Sequence, residues 1–357
     1  AGVPVSALGN PQTRLYGLGA LSRYDLAYDI QTVRMTIIQP RLDSVSTEEL
    51  SAEELYAWGK HSVAPQAELA IEGKGLHSGQ DVCILLEPAD PGTGIVLFRE
   101  DLAPGMPIPA SWRFVVDTGH NVTLGRESVS IQTVEHLLSA LSAAGVDTCL
   151  IRVNGPEIPL CDGGAKYFLE TLSRTGLSGQ EAPREYCQIR MPVWVEDGDR
   201  YLLALPAHDL RISCSIHFRH KAIRYQACHI RMDAKTYLHE IAPARTFGFT
   251  GDIEVLRRRG LAQGGDYDTV LVYDENGPIS PDIHFEDECV RHKVLDIMGD
   301  LALLGHPLRA HVIGHKTGHA LDVEFVRRLA AEMITVSDTD TLERDREFAS
   351  FCERMNL

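Results

Sequence analysis

From Glu288 onward, apolar residues fall at helical spacing: Val290, Val294, Leu295, Ile297, Met298 and Leu301, with no proline among them. The pattern predicts a helix over 288–304. A similar run predicts a helix from 130 onward, closed by Gly145. Further helices are expected over 165–172, near 246–259 and over 322–333. Alternating or short apolar runs predict strands at 67–71, 82–86, 94–98, 112–116, 147–153, 187–195, 200–206, 211–218, 269–273 and 311–313. The acidic stretch 44–56, with Ser46 or Thr47 as caps, predicts a short helix.

Strands followed by two helices occur twice along the chain. The fold class read from this is α+β: two related domains, each a β-sheet layered with helices. The expected division is an N-terminal extension of unknown role at 1–62, domains at 63–180 and 181–340, and a C-terminal tail at 341–357. The glycine- and proline-bearing stretch 173–186 reads as the linker between the domains.

With 357 residues, 44% hydrophobic and 24% charged, the composition is that of an ordinary globular protein. A formal net charge of −16 argues against a general nucleic-acid binder or an anionic-membrane binder. Eight cysteines without a Cys-x-x-Cys pair argue against a zinc ribbon or a disulfide framework. No apolar run approaches the roughly 20 residues that span a bilayer. Arg14, Arg23 and Arg34, with few acids before Leu42, fit an organelle-targeting remnant as well as a loosely attached extension. The expected location is the cytoplasm, or an organelle if 1–60 is such a remnant.

On the 288–304 helix, His292, Asp296 and Asp300 sit at i, i+4 and i+8 and share a face. An imidazole and a carboxylate one turn apart can grip a divalent ion, and a further carboxylate can orient a neighbour. The same spacing also suits an ordinary polar face. Glu135-His136 pairs a candidate base with a candidate ligand, but adjacent helical residues diverge by about 100°. His311, His315 and His319 form a competing set in which Gly314 and Gly318 favour a loop. Thr246 fits either an oxyanion donor or a helix cap. Asn121-Val-Thr123 matches a glycosylation pattern, discounted because nothing else points to secretion.

Seven segments then occur in a telling order: Gly75-Leu-His-Ser-Gly79, Thr133-Val-Glu-His-Leu-Leu-Ser139, Asn154-Gly-Pro-Glu-Ile-Pro159, Ala244-Arg-Thr-Phe-Gly-Phe249, Gly264-Gly265, His292-Lys-Val-Leu-Asp296 and Gly318-His-Ala-Leu321. Together they closely resemble the zinc-dependent UDP-3-O-acyl-N-acetylglucosamine deacetylases of lipid A biosynthesis, over about 66–335. Each motif is weak alone, and the ordered set is specific.

The resemblance implies that His136, His292 and Asp296 bind one Zn2+ per chain, a site that Fe2+ would also suit. It implies that Glu135 is the general base. It makes His319, held by Asp300, an oxyanion stabiliser, with Thr246 donating to the same oxygen. The leaving amine takes its proton from His319 or Glu135. Lys293 and Lys316 fall near sugar or diphosphate, and Phe218 near uracil. Leu76, Phe247 and Gly264 fall among the substrate contacts. The insert 248–274 forms an acyl tunnel lined by Phe249, Ile253, Leu256 and Val270. The helices of the two domains face each other, with the metal between them.

The implied partner is a small UDP-linked acylated glucosamine, with at most peripheral membrane contact, no nucleic acid and a monomeric state. The chain departs from the family at Gly119-His120-Asn121, where an apolar residue, Cys and Thr are usual, and at Asp322, where Asn is usual. A non-catalytic nucleotide-sugar or lipid binder would keep the fold but lose the base or a ligand. A hydrolase of the same fold for another N-acyl substrate is favoured only by the altered 119–121 loop.

Overall fold

The computed structural model describes residues 5–59, 69–102, 105–177, 179–180 and 182–337. The expected tail at 341–357 lies outside them. The chain divides into two units, Ala1–Ala67 and Glu68–Leu357.

The first unit holds helix α1 (Pro11–Tyr28), strands β1 (Thr32–Gln39) and β2 (Ser44–Ser51), and helix α2 (Ala52–Trp58). β1 and β2 form an antiparallel hairpin in which Thr36 faces Thr47. The helix expected over 44–56 is therefore a strand in its first half. Its cap is Ser51, not Ser46 or Thr47: the Ser51 hydroxyl accepts from Glu54 N, and the Glu54 side chain accepts from Ser51 N. Two of the three arginines noted above pair with carboxylates, and Arg23 lies over the Tyr24 ring. Arg14 Nε donates to the buried Glu48 at 2.9 Å, and Arg34 pairs with Glu49 on the surface.

The second unit begins with β3 (Leu69–Lys74), β4 (Asp81–Glu87), β5 (Ile95–Arg99) and β6 (Ile108–Pro109). A meander follows: β7 (Val115–Asp117), β8 (Thr123–Arg126) and β9 (Val129–Ile131). Helix α3 (Glu135–Ala144), strand β10 (Cys149–Val153) and helix α4 (Lys166–Thr175) complete this half. Its sheet order is β3-β4-β10-β5-β6, with β10 parallel to β5. Val82, Ile84 and Leu86 alternate inward along β4, which is the period of a strand with one buried face. The predicted 112–116 strand starts only at Val115, and the short strands β8 and β9 were not predicted.

The other half contains β11 (Glu185–Gln188), β12 (Val193–Asp197), β13 (Arg200–Pro206), β14 (Arg211–His217) and β15 (Tyr225–Arg231). After the short α5 (Ala234–Thr236) come β16 (Phe247–Phe249), α6 (Thr250–Arg258) and β17 (Leu271–Tyr273). It ends with α7 (Glu288–Leu301), β18 (Leu308–His315), α8 (His319–Glu332) and β19 (Ile334–Ser337). β18 lies inside a seven-stranded sheet, antiparallel to β13 and parallel to β14 and β11. The helix expected over 246–259 starts at Thr250, because Phe247–Phe249 pairs in parallel with β17.

The fold is α+β, with the helices of the two halves packed on each other. α7 is buried almost along its length and crosses the start of α3. Gly299 makes that approach possible: a Cβ there would lie 2.2 Å from Glu135 O. Among the described residues no helix is long and apolar enough to cross a membrane.

Candidate metal centre

The α3–α7 crossing brings His136 from one half beside His292 and Asp296 from the other. One donor atom of each lies within 4.8 Å of the others, and all three residues are buried. His136 Nδ1 faces Gly164 O at 3.0 Å, and His292 Nδ1 faces Ala244 O at 3.0 Å. A carbonyl only accepts, so each ring carries its proton on Nδ1 and turns a bare Nε2 to the centre. Burial, with His292 alongside, pushes the His136 pKa down to about 3, and burial lowers His292 too. Both imidazoles are therefore neutral, as ligands must be.

Burial alone would raise Asp296, but the positive charges nearby, Lys293 and His319 once His292 is neutral, hold the carboxyl below its usual range. Asp296 Oδ1 is buried, makes no hydrogen bond and lies 3.3 Å from His292 Nε2. Two lone-pair atoms facing each other at that distance repel unless a cation sits between them. The N2O donor set and this orphaned oxygen fit a divalent ion with an open fourth position. Its other oxygen, Oδ2, takes a 2.6 Å bond from Lys293 Nζ.

Around the donors stand two oppositely tuned groups. Burial, against the pull of the His319 charge, raises the Glu135 pKa to about 7. Its Oε2 accepts from Val122 N at 3.1 Å. Burial works against charge on His319 too, but the charge and hydrogen bond of Asp300 raise it to about 10. His319 Nδ1 donates to Asp300 Oδ2 at 2.9 Å, and Nε2 lies 3.7 Å from Glu135 Oε1. A carboxylate poised near neutrality beside an imidazolium is an acid–base pair. Asp300, His319 and Asp322 also fall within ligating distance of each other. A charged imidazole does not bind metal, so that set is an imidazolium held by the Asp300 carboxylate with Asp322 beside them. Burial and the Asp300 charge push Asp322 up to about 8.

The remaining expected residues are spread more widely. Thr246 is half-buried next to Arg245, whose guanidinium and backbone N–H bind the buried Glu288 at the start of α7. Phe218, Phe247 and Phe249 form one aromatic cluster, with Phe218 5.7 Å from each of the other two rings. Phe247 lies 6.3 Å from His292, and Lys293 Nζ sits over it at 5.7 Å. Ile253 and Leu256 are half-buried on α6, while Val270 and Leu76 flank Gly265. Gly264 N donates to Leu76 O.

Lys316 is tied to Asp199. His311 lies on β18, in the strand expected at 311–313, and His315 ends that strand where a loop was expected; they bond Ser213 and Ser215. The three-histidine set therefore does not converge. Asn121 is buried, with its amide on Thr133, which suits an internal role and not a glycan acceptor. Glu157, wholly buried, was not singled out from the sequence, because its partners are mostly distant backbone N–H groups.

Two facing α+β layers with a buried His2Asp donor set, a carboxylate and an imidazolium define a metal-dependent hydrolase. The family described as LpxC, UDP-3-O-acyl N-acetylglycosamine deacetylase, matches residues 64–331. A protein family of unknown function (DUF2800) matches residues 1–85. The UDP-3-O-acyl-N-acetylglucosamine deacetylase of Myxococcus xanthus is 44% identical over 74% of this chain and 84% of its own length. That of Syntrophotalea carbinolica is 42% identical over 74% and 85%. That of Acidithiobacillus ferrooxidans is 41% identical over 78% and 92%. The chain belongs to the UDP-3-O-acyl-N-acetylglucosamine deacetylase family.

Proposed function

We propose that this chain is a zinc-dependent amide hydrolase that removes acetate from UDP-3-O-acyl-N-acetylglucosamine, a step of lipid A biosynthesis. The observation that carries the reading is the convergence of His136, His292 and Asp296 beside Glu135 and His319. A zinc ion on those donors supplies a Lewis acid for the amide carbonyl and makes water a better proton donor at neutral pH. Glu135 takes the proton from the attacking water. His319, kept charged by Asp300, faces the negative charge that develops on the carbonyl oxygen, and Thr246 donates to the same oxygen. His319 or Glu135 then protonates the departing amine. Lys293 and Lys316 serve the sugar or diphosphate, and Phe218 the uracil. Leu76, Phe247 and Gly264 complete the substrate contacts, and Phe249, Ile253, Leu256 and Val270 the acyl passage.

The same donors accept iron(II), so the metal is assayed and not assumed. The reading carries a division near residue 180, a monomer, and a cytoplasmic setting with contact to a membrane surface only at its periphery.

The test is acetate release from UDP-3-O-acyl-N-acetylglucosamine, with metal content measured on the same samples. Wild type is expected to turn over. Glu135→Ala is expected to keep its metal and lose about 10²–10⁴ in rate. Metal-loaded wild type that releases no acetate sinks the proposal for this substrate.

A further inference from the structure

Glu157 lies in the loop between β10 and α4, and four hydrogen bonds converge on its carboxylate. Oε1 accepts from Thr133 Oγ1 at 2.8 Å and His77 N at 2.9 Å. Oε2 accepts from Ser78 N at 2.8 Å and, more weakly, from His77 N at 3.1 Å. The cradle is tight: a Cβ on Gly75 would lie 2.4 Å from Oε2, so no side chain fits there. Backbone bonds close the junction, from Gln132 N to Pro156 O and from Ile158 N to Gln132 O.

Thr133 is the next link. Its φ of +58° is in the left-handed region, which a β-branched residue adopts only when its surroundings enforce it. Its hydroxyl donates to Glu157 and accepts from Asn121 Nδ2 at 3.0 Å, while Asn121 Oδ1 accepts from Thr123 Oγ1. The peptide after Asn121 carries the Val122 N–H that binds Glu135 Oε2, and Val122 O accepts from Val134 N. Both the start of α3 and the donor that fixes the Glu135 carboxylate thus depend on one buried network.

We propose that Glu157, Thr133 and Asn121 form a positioning relay that sets the orientation of the Glu135 carboxylate. None of the three is a catalytic residue, and the inference rests on Glu135 being the base. Loosening the relay frees the Val122 peptide and lets Glu135 turn, while the groups assigned to substrate on α7 and the insert stay in place. Turnover falls and substrate affinity does not.

The test compares Thr133→Val, which removes the hydroxyl at nearly constant shape, with Thr133→Ser, which keeps it. Acetate release, metal content and exchange of the Val122 amide are measured on the full chain, with each variant also placed on Glu135→Ala. Thr133→Val is expected to lower kcat about tenfold, with KM within about twofold and metal retained, and to speed Val122 exchange. Thr133→Ser is expected to restore kcat. On Glu135→Ala, Thr133→Val is expected to cost nothing further, because the group it positions is gone. Glu157→Gln also weakens the bonds from His77 N and Ser78 N beside Leu76, so it is expected to lower kcat as Thr133→Val does and to raise KM as well; the threonine pair decides the matter. An unchanged kcat for Thr133→Val, or an equal loss on both backgrounds, overturns the relay while leaving the deacetylase reading intact. A wild type that releases no acetate removes both.

Discussion

His319 donates through Nδ1 to Asp300 Oδ2 at 2.9 Å, and Asp300 makes no other use of its buried carboxylate. The pair keeps a proton on the imidazole well above neutral pH. Asp300→Asn removes the negative charge and leaves at best a neutral acceptor. The raised pKa then falls, so His319 loses its proton at lower pH. The alkaline limb of kcat/KM is expected to move down by about 1–3 pH units. A limb that stays in place means that some group other than His319 sets it.

Chelation tests the donor set without any substrate. His292 Nε2 and Asp296 Oδ1 repel in the absence of a cation, and an ion that binds only the folded chain stabilises it. At about 100 times its dissociation constant that contribution is about 2.7 kcal/mol. Stripping the metal is expected to lower the melting temperature, and re-adding zinc to restore it. Asp296→Ala is expected to show no response to either. A wild type indifferent to chelation contradicts the assignment.

Arg245 and Glu288 form a buried pair with both side chains at most 2% exposed. Arg245→Met leaves the buried Glu288 charge with backbone N–H donors but no counter-charge, so it is expected to cost about 3–5 kcal/mol. A lower denaturation midpoint at unchanged slope would measure it. Burial works to raise the Glu288 pKa, but Arg245 and the N–H groups of Arg245 and His284 outweigh it and hold it low. The contribution of Glu288 is therefore complete above its unfolded pKa, about 4.3, and is lost as pH falls through the lower folded value. In Glu288→Gln that acid-dependent part of the stability curve should vanish.

Gly299→Ala places a methyl against Glu135 O, and backbone cannot swing aside as a side chain does. The helices must separate, at about 1–3 kcal/mol. Activity is expected to fall with stability, because the crossing carries ligands on both sides. A variant of normal stability and turnover would show that the crossing has slack.

Long regular elements were legible in the sequence. α7 and α3 stood out because their apolar spacing is strong and Gly145 ends the second of them. β8, β9 and β15 were not, since short or half-exposed strands carry little pattern. Ser44–Ser51 misled because acidic residues before a capping box look helical, while a two-stranded hairpin has only a thin apolar face. The His292–Asp296 half of the donor set could be read from helical spacing. His136 could not be joined to it that way, because the contact exists only once two halves pack; the family resemblance supplied it. Lys316 was placed near the substrate by the resemblance alone; in the structure its ammonium pairs with the exposed Asp199, a contact that no sequence spacing announces.

Gly299 has a metrological consequence. His136 rides on α3 and His292 on α7, so the spacing of two helices is also the bite of the proposed ligand set. Metal–ligand bonds tolerate errors of only about 0.2 Å, much less than a methyl group. The absent side chain at Gly299 therefore works as a calibrated spacer, and any drift in core packing that thickens this crossing is read at the centre as a mis-set gauge.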